Sequence, residues 1–234
     1  MSKGVPENSR AAVRAAIGHG YGIEIDIQLT ADNAAVVFHD YNLERLTEGV
    51  GRVRRRTRSD LSTLRLKGGN EAVPDLEEIL AIVAGQTPLL IELKDQDGAL
   101  GEDVGVLEAA VAKSLAGYEG PVAVMSFNPN SVLAMQTLAP DIPRGLVTEA
   151  FAASEWDAPP ERLRSLAAIE DFDRVGATFI SHDHRDLHSD AVAALKAREV
   201  PILCWTIRSP QEEAAARRIA DNITFESYFP GPGA

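Results

Sequence analysis

Short apolar runs alternate with amphipathic segments along most of this chain. Eight runs, rich in branched and aliphatic residues, predict β-strands at 22–29, 35–38, 89–93, 122–125, 144–148, 178–181, 202–207 and 223–226. Between them, apolar residues recur with a helical period from about Ser9, from Asp75, and near 103–116, 129–138, 161–175, 189–199 and 210–220. Strands that alternate with helices in this way indicate an α/β fold, with a mainly parallel sheet covered by helices.

The positions of polar residues within the strands indicate where chemistry occurs. Most strands are apolar on both faces, as in the runs 89–91 and 202–205, which is typical of buried parallel strands. The polar residues lie near the carboxyl ends of the strands, where barrels and open α/β sheets place their active sites. Residues 47–70 form the longest irregular stretch, and we interpret them as a surface insertion within one domain spanning residues 1–234.

Composition and charge exclude several classes of protein. The chain has 234 residues, of which 23 are Lys or Arg and 35 are Asp or Glu. The resulting net charge of −12 argues against non-specific nucleic-acid binding. Cys204 is the only cysteine, so a disulfide framework is excluded. No apolar run approaches the roughly 20 residues of a membrane span, and residues 1–20 lack the pattern of a signal peptide, so we expect a cytoplasmic protein. An α/β barrel typically needs about 250 residues, slightly more than this chain has.

A strand with three polar side chains on one face carries the strongest chemical signal. In the run 22–29, Glu24, Asp26 and Gln28 share a face because side chains alternate along a strand. Two carboxylates spaced in this way suit a hard cation, since Ca²⁺ and Mg²⁺ prefer oxygen ligands. The alternative is a sheet face exposed to water, which the apolar surroundings of this run disfavour.

The next run is expected to return antiparallel to the first, because the connection is too short for a crossover helix. We interpret Asp32 and Asn33 as a two-residue turn. The residue numbers of two facing residues then add up to 65, so that Asp26 faces His39. The same register puts two side chains on the apolar face, those of Val36 and Phe38. A histidine beside two carboxylates can transfer protons near neutral pH.

A second strand ends in a similar charged pattern. In the run 89–95, Glu92 and Lys94 share a face, and Asp95 follows them. Glu92 is a candidate third oxygen ligand, and Lys94 is a candidate point charge for binding an anion. A salt-bridged pair that closes the strand end is the alternative interpretation.

Taken in order, these residues resemble the motifs of the glycerophosphodiester phosphodiesterase family, a phospholipase-C-like barrel family. The matching segments are 6–9, 23–30, 36–40, 43–47, 73–80, 91–94, 126–127 and 205–206. Each segment is short, but the ordered set covers nearly the whole chain. The resemblance implies a distorted (β/α)8 TIM barrel. It also implies hydrolysis of small-molecule glycerophosphodiesters to sn-glycerol 3-phosphate and an alcohol, in phospholipid and glycerol metabolism.

The resemblance also implies roles for individual residues. Glu24, Asp26 and Glu92 match the family's ligands for a divalent metal, usually Ca²⁺ or Mg²⁺, and His39 matches one of two acid/base histidines. The two substrate-binding residues that it implies are Lys94, at the phosphate, and Trp205, in the lining of the pocket. These roles agree with the physical chemistry, since a metal polarises phosphoryl oxygens and histidines move protons.

The chain departs from the family's pattern at both ends. The family begins with a strand that ends in His-Arg, and residues 1–5 stand in its place here, so this strand, the second histidine and a phosphate-binding arginine are missing. The terminal Ile-Thr-Asp motif reads Ile-Thr-Phe-Glu at 223–226. We therefore expect a barrel without its first strand. Three explanations stay open: a start internal to the gene, a catalytically impaired barrel that binds a phosphate ligand or a protein, or a substitute histidine at His182 or His184.

Overall fold

The computed structural model describes residues 5–156 and 158–231 and contains one eight-stranded sheet in that part of the chain. The strands are β1 (Ile23–Leu29), β2 (Ala35–Val37), β3 (Leu89–Leu93), β4 (Val122–Ser126), β5 (Arg144–Thr148), β6 (Phe179–Asp183), β7 (Ile202–Ile207) and β8 (Asn222–Phe225). Their order is β2-β1-β3-β4-β5-β6-β7-β8, and all neighbours are parallel except β1 and β2. The predicted α/β class and all eight predicted strands are confirmed, with ends that differ by at most two residues.

Helices connect the parallel strands, and short polar side chains begin several of them. The helices are α1 (Arg10–His19), α2 (Arg58–Leu61), α3 (Leu76–Val83), α4 (Val106–Leu115), α5 (Pro129–Leu138), α6 (Pro160–Ala167), α7 (Asp190–Ala197) and α8 (Pro210–Ala216). Before α3, Asp75 and Glu78 form the capping box that their spacing predicts. The helix predicted at 161–175 ends early, because the chain turns at Ile169, which has a left-handed φ of 53°. None of the helices described has the length and hydrophobicity to cross a bilayer.

The β1–β2 hairpin is antiparallel as predicted, but its register differs from the prediction by one residue. A three-residue loop at 31–33 replaces the expected two-residue turn, and the amide of Thr30 donates to the carbonyl oxygen of Ala34 at 3.0 Å across it. The Thr30 hydroxyl accepts from the amide of Ala34 at 2.8 Å, and Asn33 adopts a left-handed φ of 60°. Paired positions therefore sum to 64, as for Ile27 with Val37.

The observed register changes the packing of β2. Val37 joins Ile27 in the main core beneath the helices, whereas Val36 and Phe38 turn away from the apolar face that was predicted for them. They enter a separate apolar cluster whose members are Val36, Phe38, Leu43, Leu46, Val53, Leu61, Leu66 and Val73. We call this cluster the insertion core. The insertion at residues 47–70 is thus packed against the hairpin around hydrophobic residues of its own.

One face of the sheet forms the interior of a curled structure. The side chains of β3 to β7 that point to this face meet in one apolar cluster, which contains Leu90, Ala123, Met125, Val147, Phe179, Leu203 and Trp205. The rings of Phe127, directly after β4, and Trp205, on β7, are 5.6 Å apart although their strands are three positions apart in the sheet order, so the sheet curls around this face. The carboxyl ends of the parallel strands open at one end of the interior, which is where α/β barrels place their chemistry.

The sheet has a seam between β8 and β1. Within residues 5–156 and 158–231, no backbone ladder joins these two strands, and no strand precedes α1. Aromatic side chains cross the seam: the ring centroids of Tyr21 and Phe225 are 5.0 Å apart. The Tyr21 hydroxyl also donates to the carbonyl oxygen of Pro230 at 2.7 Å.

Candidate active site

Three carboxylates from two neighbouring strands converge at the open end of the interior. Glu24 and Asp26 are two residues apart on β1, and Asp26 is in register with Glu92 on β3. One oxygen from each carboxylate lies within 4.8 Å of the other two. The strand geometry produces this arrangement directly, because residues two apart share a face and neighbouring strands are about 4.8 Å apart. The structure thus brings together the three residues that the sequence predicts as metal ligands.

Lys94 lies between two of these carboxylates. Its Nζ atom is 2.8 Å from Oδ1 of Asp26 and 2.6 Å from Oε1 of Glu92, and its side chain is 13% exposed. The salt-bridged pair that was an alternative interpretation of Glu92 and Lys94 is therefore present, but as part of the carboxylate cluster. Three carboxylates and one ammonium leave a formal charge of −3 + 1 = −2.

Electrostatics distinguish Asp26 from the two glutamates, since burial also raises the pKa of the Glu92 carboxyl. Burial, reinforced by the charges of Asp26 and Glu92, raises the pKa of the Glu24 carboxyl well above its ordinary value. Burial also opposes ionisation of Asp26, but the charges of Lys94 and His39 outweigh it and lower the pKa of that carboxyl. The Oε1 atom of Glu24 is buried and has no hydrogen-bond partner among the described residues. A bound cation would satisfy this oxygen, and the all-oxygen donor set fits Ca²⁺ or Mg²⁺.

Asn8 supports the cluster from the segment ahead of α1. Its Nδ2 atom donates to Oδ2 of Asp26 at 2.8 Å, and its Oδ1 atom accepts from the backbone amide of Asp26 at 3.1 Å. Periodicity and spacing do not predict this contact, because it joins residues 18 positions apart at the edge of β1. The place of Asn8 in the matching segment 6–9 is the one sequence signal that could have found it.

His39 follows the hairpin and is oriented by its neighbours. Its Nδ1 atom lies 2.7 Å from Oδ1 of Asp40, and its side chain is 51% exposed. Arg45 holds Asp40 through two hydrogen bonds of 2.6 Å, one to each carboxylate oxygen. The predicted direct pairing of Asp26 with His39 is wrong. Because of the one-residue change in register, the amide of Phe38 donates to the carbonyl oxygen of Asp26 at 2.9 Å instead.

Tyr41 and Gln28 are two further polar residues at this end of the sheet. Partial burial and the charge of Asp95 raise the pKa of the Tyr41 hydroxyl to about 12. Gln28 donates from Nε2 to the carbonyl oxygen of His39 at 3.2 Å and so ties the end of the hairpin to β1. The sequence indicates that Gln28 shares a face with Asp26, but it gives no signal for Tyr41, which lies in an irregular loop.

His182 does not lie on the interior face. On β6, Phe179 points to the interior and Ile180 to the helices, so the alternation directs His182 to the helix side, where it is fully buried. Its Nδ1 atom is 2.8 Å from Oγ1 of Thr148, and its Nε2 atom is 3.2 Å from Oδ2 of Asp186. Both ring nitrogens thus have partners on the helix side of the sheet, away from Glu24, Asp26 and Glu92. This placement does not support His182 as the substitute histidine, and it arises because β6 extends to Asp183, two residues beyond the predicted end.

Trp205 lies on the interior face of β7. Its Nε1 atom donates to the carbonyl oxygen of Ser181 at 3.0 Å, and its ring centroid is 5.6 Å from that of Phe127, at an interplanar angle of 77°. The side chain is half-buried at the open end of the sheet. This position is compatible with the lining of a pocket, and its contact with substrate stays a prediction.

Comparison with known proteins connects this geometry to a family. Residues 1–223 match the model of the glycerophosphoryl diester phosphodiesterase family. A glycerophosphodiester phosphodiesterase of Caldanaerobacter subterraneus is 31% identical over 66% of this chain and 66% of its own length. One from Bacillus subtilis is 28% identical over 85% of this chain and 70% of its own.

Solved structures share the fold. A phosphodiesterase of Oleispira antarctica, in complex with the product sn-glycerol 3-phosphate, superposes with a TM-score of 0.78 at 23% identity, covering 96% of this chain and 89% of the other. A glycerophosphodiester phosphodiesterase of Parabacteroides distasonis superposes with a TM-score of 0.73 at 23% identity, covering 96% and 87%. These similarities confirm the predicted barrel-type α/β fold. Because the family match extends over nearly the whole sequence, the chain belongs to the glycerophosphoryl diester phosphodiesterase family.

Proposed function

We propose that this chain is a divalent-metal-dependent enzyme that hydrolyses glycerophosphodiesters to sn-glycerol 3-phosphate and an alcohol. The observation that carries the proposal is the convergence of Glu24, Asp26 and Glu92, whose oxygens lie within 4.8 Å, beside the ammonium of Lys94. Membership of the family and the product bound by the Oleispira antarctica protein support this class of substrate. The products would enter phospholipid and glycerol metabolism.

Glu24, Asp26 and Glu92 would hold the metal. Together with Lys94 they carry a formal charge of −3 + 1 = −2, which one divalent cation balances. Their oxygen-only chemistry suits Ca²⁺ or Mg²⁺ better than metals that prefer nitrogen or sulfur ligands. When bound, the cation supplies polarisation of the phosphoryl oxygens and stabilises the negative charge that develops on them.

Lys94 would bind the phosphate as a point charge. Although burial opposes the charged form, the carboxylates of Asp26 and Glu92 raise the pKa of the Lys94 ammonium above its ordinary value. The side chain therefore stays protonated at neutral pH and carries a fixed positive charge at the carboxyl end of β3. Trp205 would contact the substrate from the β7 side of the same opening.

His39 would transfer the proton during hydrolysis. Because Nδ1 lies against the carboxylate of Asp40, Nε2 is the ring atom that can exchange a proton with water or with the leaving oxygen. Arg45 fixes Asp40, so the imidazole is oriented by two further side chains rather than by solvent. Half of the ring remains accessible to a substrate, since the side chain is 51% exposed.

The test is release of sn-glycerol 3-phosphate from glycerophosphocholine by the purified full chain. We expect activity that EDTA removes and that Ca²⁺ or Mg²⁺ restores. His39→Ala should lower kcat by about 10²- to 10⁴-fold. His188→Ala, which removes an exposed histidine outside the site, is the matched control and should have no effect. A folded wild-type protein that shows no turnover with either metal would instead favour the impaired, ligand-binding barrel.

A further inference from the structure

A group of aromatic residues lies at the open end of the interior, directly after β4, on β7 and in the loop after β5. We call Phe127, Phe151, Trp156 and Trp205 the aromatic cluster. The ring centroid of Phe127 is 5.4 Å from that of Trp156 and 5.6 Å from that of Trp205, and Phe151 is 5.2 Å from Trp156. Both tryptophans are half-buried, so part of each indole is accessible to solvent.

A buried carboxylate adjoins the aromatic cluster. Glu149 directly follows β5 on the interior side, since Val147 two residues earlier belongs to the interior apolar cluster. Only 8% of Glu149 is exposed, and its Oε1 atom accepts a hydrogen bond from Nε1 of Trp156. In the part of the chain that the structure describes, Glu149 forms no salt bridge, whereas the neighbouring Asp183 is paired with Arg185.

Glu149 shares its cationic neighbour: the charge of Arg185 acts to lower the pKa of Glu149, but that guanidinium is paired with Asp183. Burial raises the pKa of its carboxyl, against the hydrogen bond from Trp156, and the charges of Glu155 and Asp183 raise it further. On the interior face of β6, the Oγ atom of Ser181 is also buried without a hydrogen-bond partner among the described residues. Acceptor oxygens outnumber cationic groups on this side of the opening, so a ligand that carries a positive charge would be stabilised here.

The first member of the aromatic cluster, Phe127, follows β4, just as Lys94 follows the neighbouring strand β3. Glu92 on β3 is in register with Met125 on β4, so Lys94 and Phe127, each two residues further on, occupy neighbouring positions at the same end. A phosphodiester whose phosphate binds at Lys94 would therefore extend one of its two alcohol groups towards Phe127 and the tryptophans. This step depends on the proposed function, because it uses Lys94 as the phosphate site.

We propose that the aromatic cluster and Glu149 form a subsite for a positively charged alcohol group, a substituted ammonium such as that of choline or ethanolamine. Aromatic faces attract weakly hydrated cations, and the effect is strongest where water is excluded. Glu149 supplies the opposite charge that a buried ammonium requires. A neutral alcohol group such as glycerol offers no charge to compensate Glu149 and is expected to bind less well.

A binding measurement tests the subsite without any turnover. The sequence contains two tryptophans, and both belong to the aromatic cluster, so intrinsic tryptophan fluorescence reports on this location alone. Choline should change the emission saturably. Its neutral isostere, in which carbon replaces the nitrogen, should do so only at concentrations roughly 3- to 30-fold higher. Equal responses to the two compounds, or none to choline, would overturn the proposal, and this comparison requires no variant.

Turnover by substituted enzymes gives a second test. Glu149→Gln should lower the ratio of kcat/KM for glycerophosphocholine to that for glycerophosphoglycerol by roughly 3- to 30-fold. Glu161→Gln, which removes an exposed carboxylate from α6, is the matched control and should leave this ratio unchanged. If Glu149→Gln lowers kcat/KM equally for both substrates, Glu149 acts on the glycerol phosphate part that the two substrates share. The subsite is then rejected, while the proposed phosphodiesterase activity is unaffected. If the folded wild-type enzyme hydrolyses neither substrate, the proposed function fails, and the fluorescence comparison still tests the subsite by itself.

Discussion

Nδ1 of His39 lies 2.7 Å from Oδ1 of Asp40, and this contact leaves Nε2 as the ring nitrogen that can meet a substrate. Asp40 is held in turn by Arg45. Burial opposes ionisation of Asp40, but its hydrogen bonds to Arg45 and His39 outweigh this effect and keep the pKa of the carboxyl below its ordinary value. The carboxylate therefore orients the imidazole throughout the neutral pH range.

Asp40→Asn should lower kcat by about 10- to 100-fold, because a hydrogen-bonded partner that orients a functional histidine typically contributes this much. KM should change little, since Asp40 orients His39 and does not contact the substrate in the proposed mechanism. In a His39→Ala background the same substitution should have almost no further effect. Steady-state kinetics of the two single variants and the double variant measure this coupling. An additive loss in the double variant would show that Asp40 acts independently of His39.

Glu24→Gln should stabilise the protein in EDTA and abolish its stabilisation by Ca²⁺ or Mg²⁺. The pKa of Glu24 is raised in the folded state by burial and by Asp26 and Glu92, so ionisation of this carboxyl opposes folding. The gain should be present at pH 7 and should disappear below about pH 4, where the carboxyl is protonated in the unfolded chain as well. Thermal unfolding of wild type and variant with EDTA and with each metal tests both parts. A variant no more stable than wild type in EDTA would contradict the first part, and wild-type protein that melts identically under all three conditions would contradict the second.

Lys94→Met should destabilise the metal-free protein by about 3 to 5 kcal/mol, because it leaves the buried carboxylates of Asp26 and Glu92 without their cation. Lys196→Ala provides the control: its ion pair with Asp221 has a similar length of 2.6 Å, but the two side chains are 41% and 48% exposed. An exposed pair of this kind should contribute less than about 1 kcal/mol. Denaturant unfolding in EDTA gives both free energies, and equal losses would count against a buried charge cluster.

Asp171→Asn should lower the free energy of unfolding by about 1 to 2 kcal/mol at pH 7. Asp171 accepts hydrogen bonds from Arg162 at 3.0 Å and from Arg174 at 2.6 Å. Burial opposes its ionisation, but these bonds outweigh burial and lower the pKa of the carboxyl. The stabilisation is therefore present above the carboxyl's ordinary pKa and is lost as the pH falls through the lowered value. Unfolding of wild type and variant from pH 7 to pH 3 should show the two curves converging, and a constant difference would contradict this origin.

The carboxylate cluster follows from the sequence because strand alternation alone determines which side chains share a face. Glu24 and Asp26 lie on the same face of β1 because they are two residues apart. Glu92 lies beside Asp26 on the neighbouring parallel strand β3. The hairpin register is a different case. Two-residue and three-residue turns at Asp32 and Asn33 both suit the local sequence, and the choice depends on the contacts of Thr30 with Ala34 in the folded loop.

Asn8, Tyr41 and Glu149 are not indicated by any local pattern. Asn8 reaches Asp26 across a strand edge, and Tyr41 lies in an irregular loop, so neither position depends on periodicity. In the sequence, nothing distinguishes Glu149 from an exposed acidic residue that follows a strand. Its burial results from the loop after β5, which brings Trp156 back over it.

The separate insertion core places parts of the candidate site on two different hydrophobic clusters. Phe38, directly before His39, packs in the insertion core, whereas Glu24, Asp26 and Glu92 are carried by the main sheet. Segments with their own small core can open locally with a lower free energy than global unfolding. Amide hydrogen exchange should then be faster at residues 43–66 than in β1 and β3. Each opening of this kind would separate the proton-transferring histidine from the carboxylates while the sheet itself stays folded.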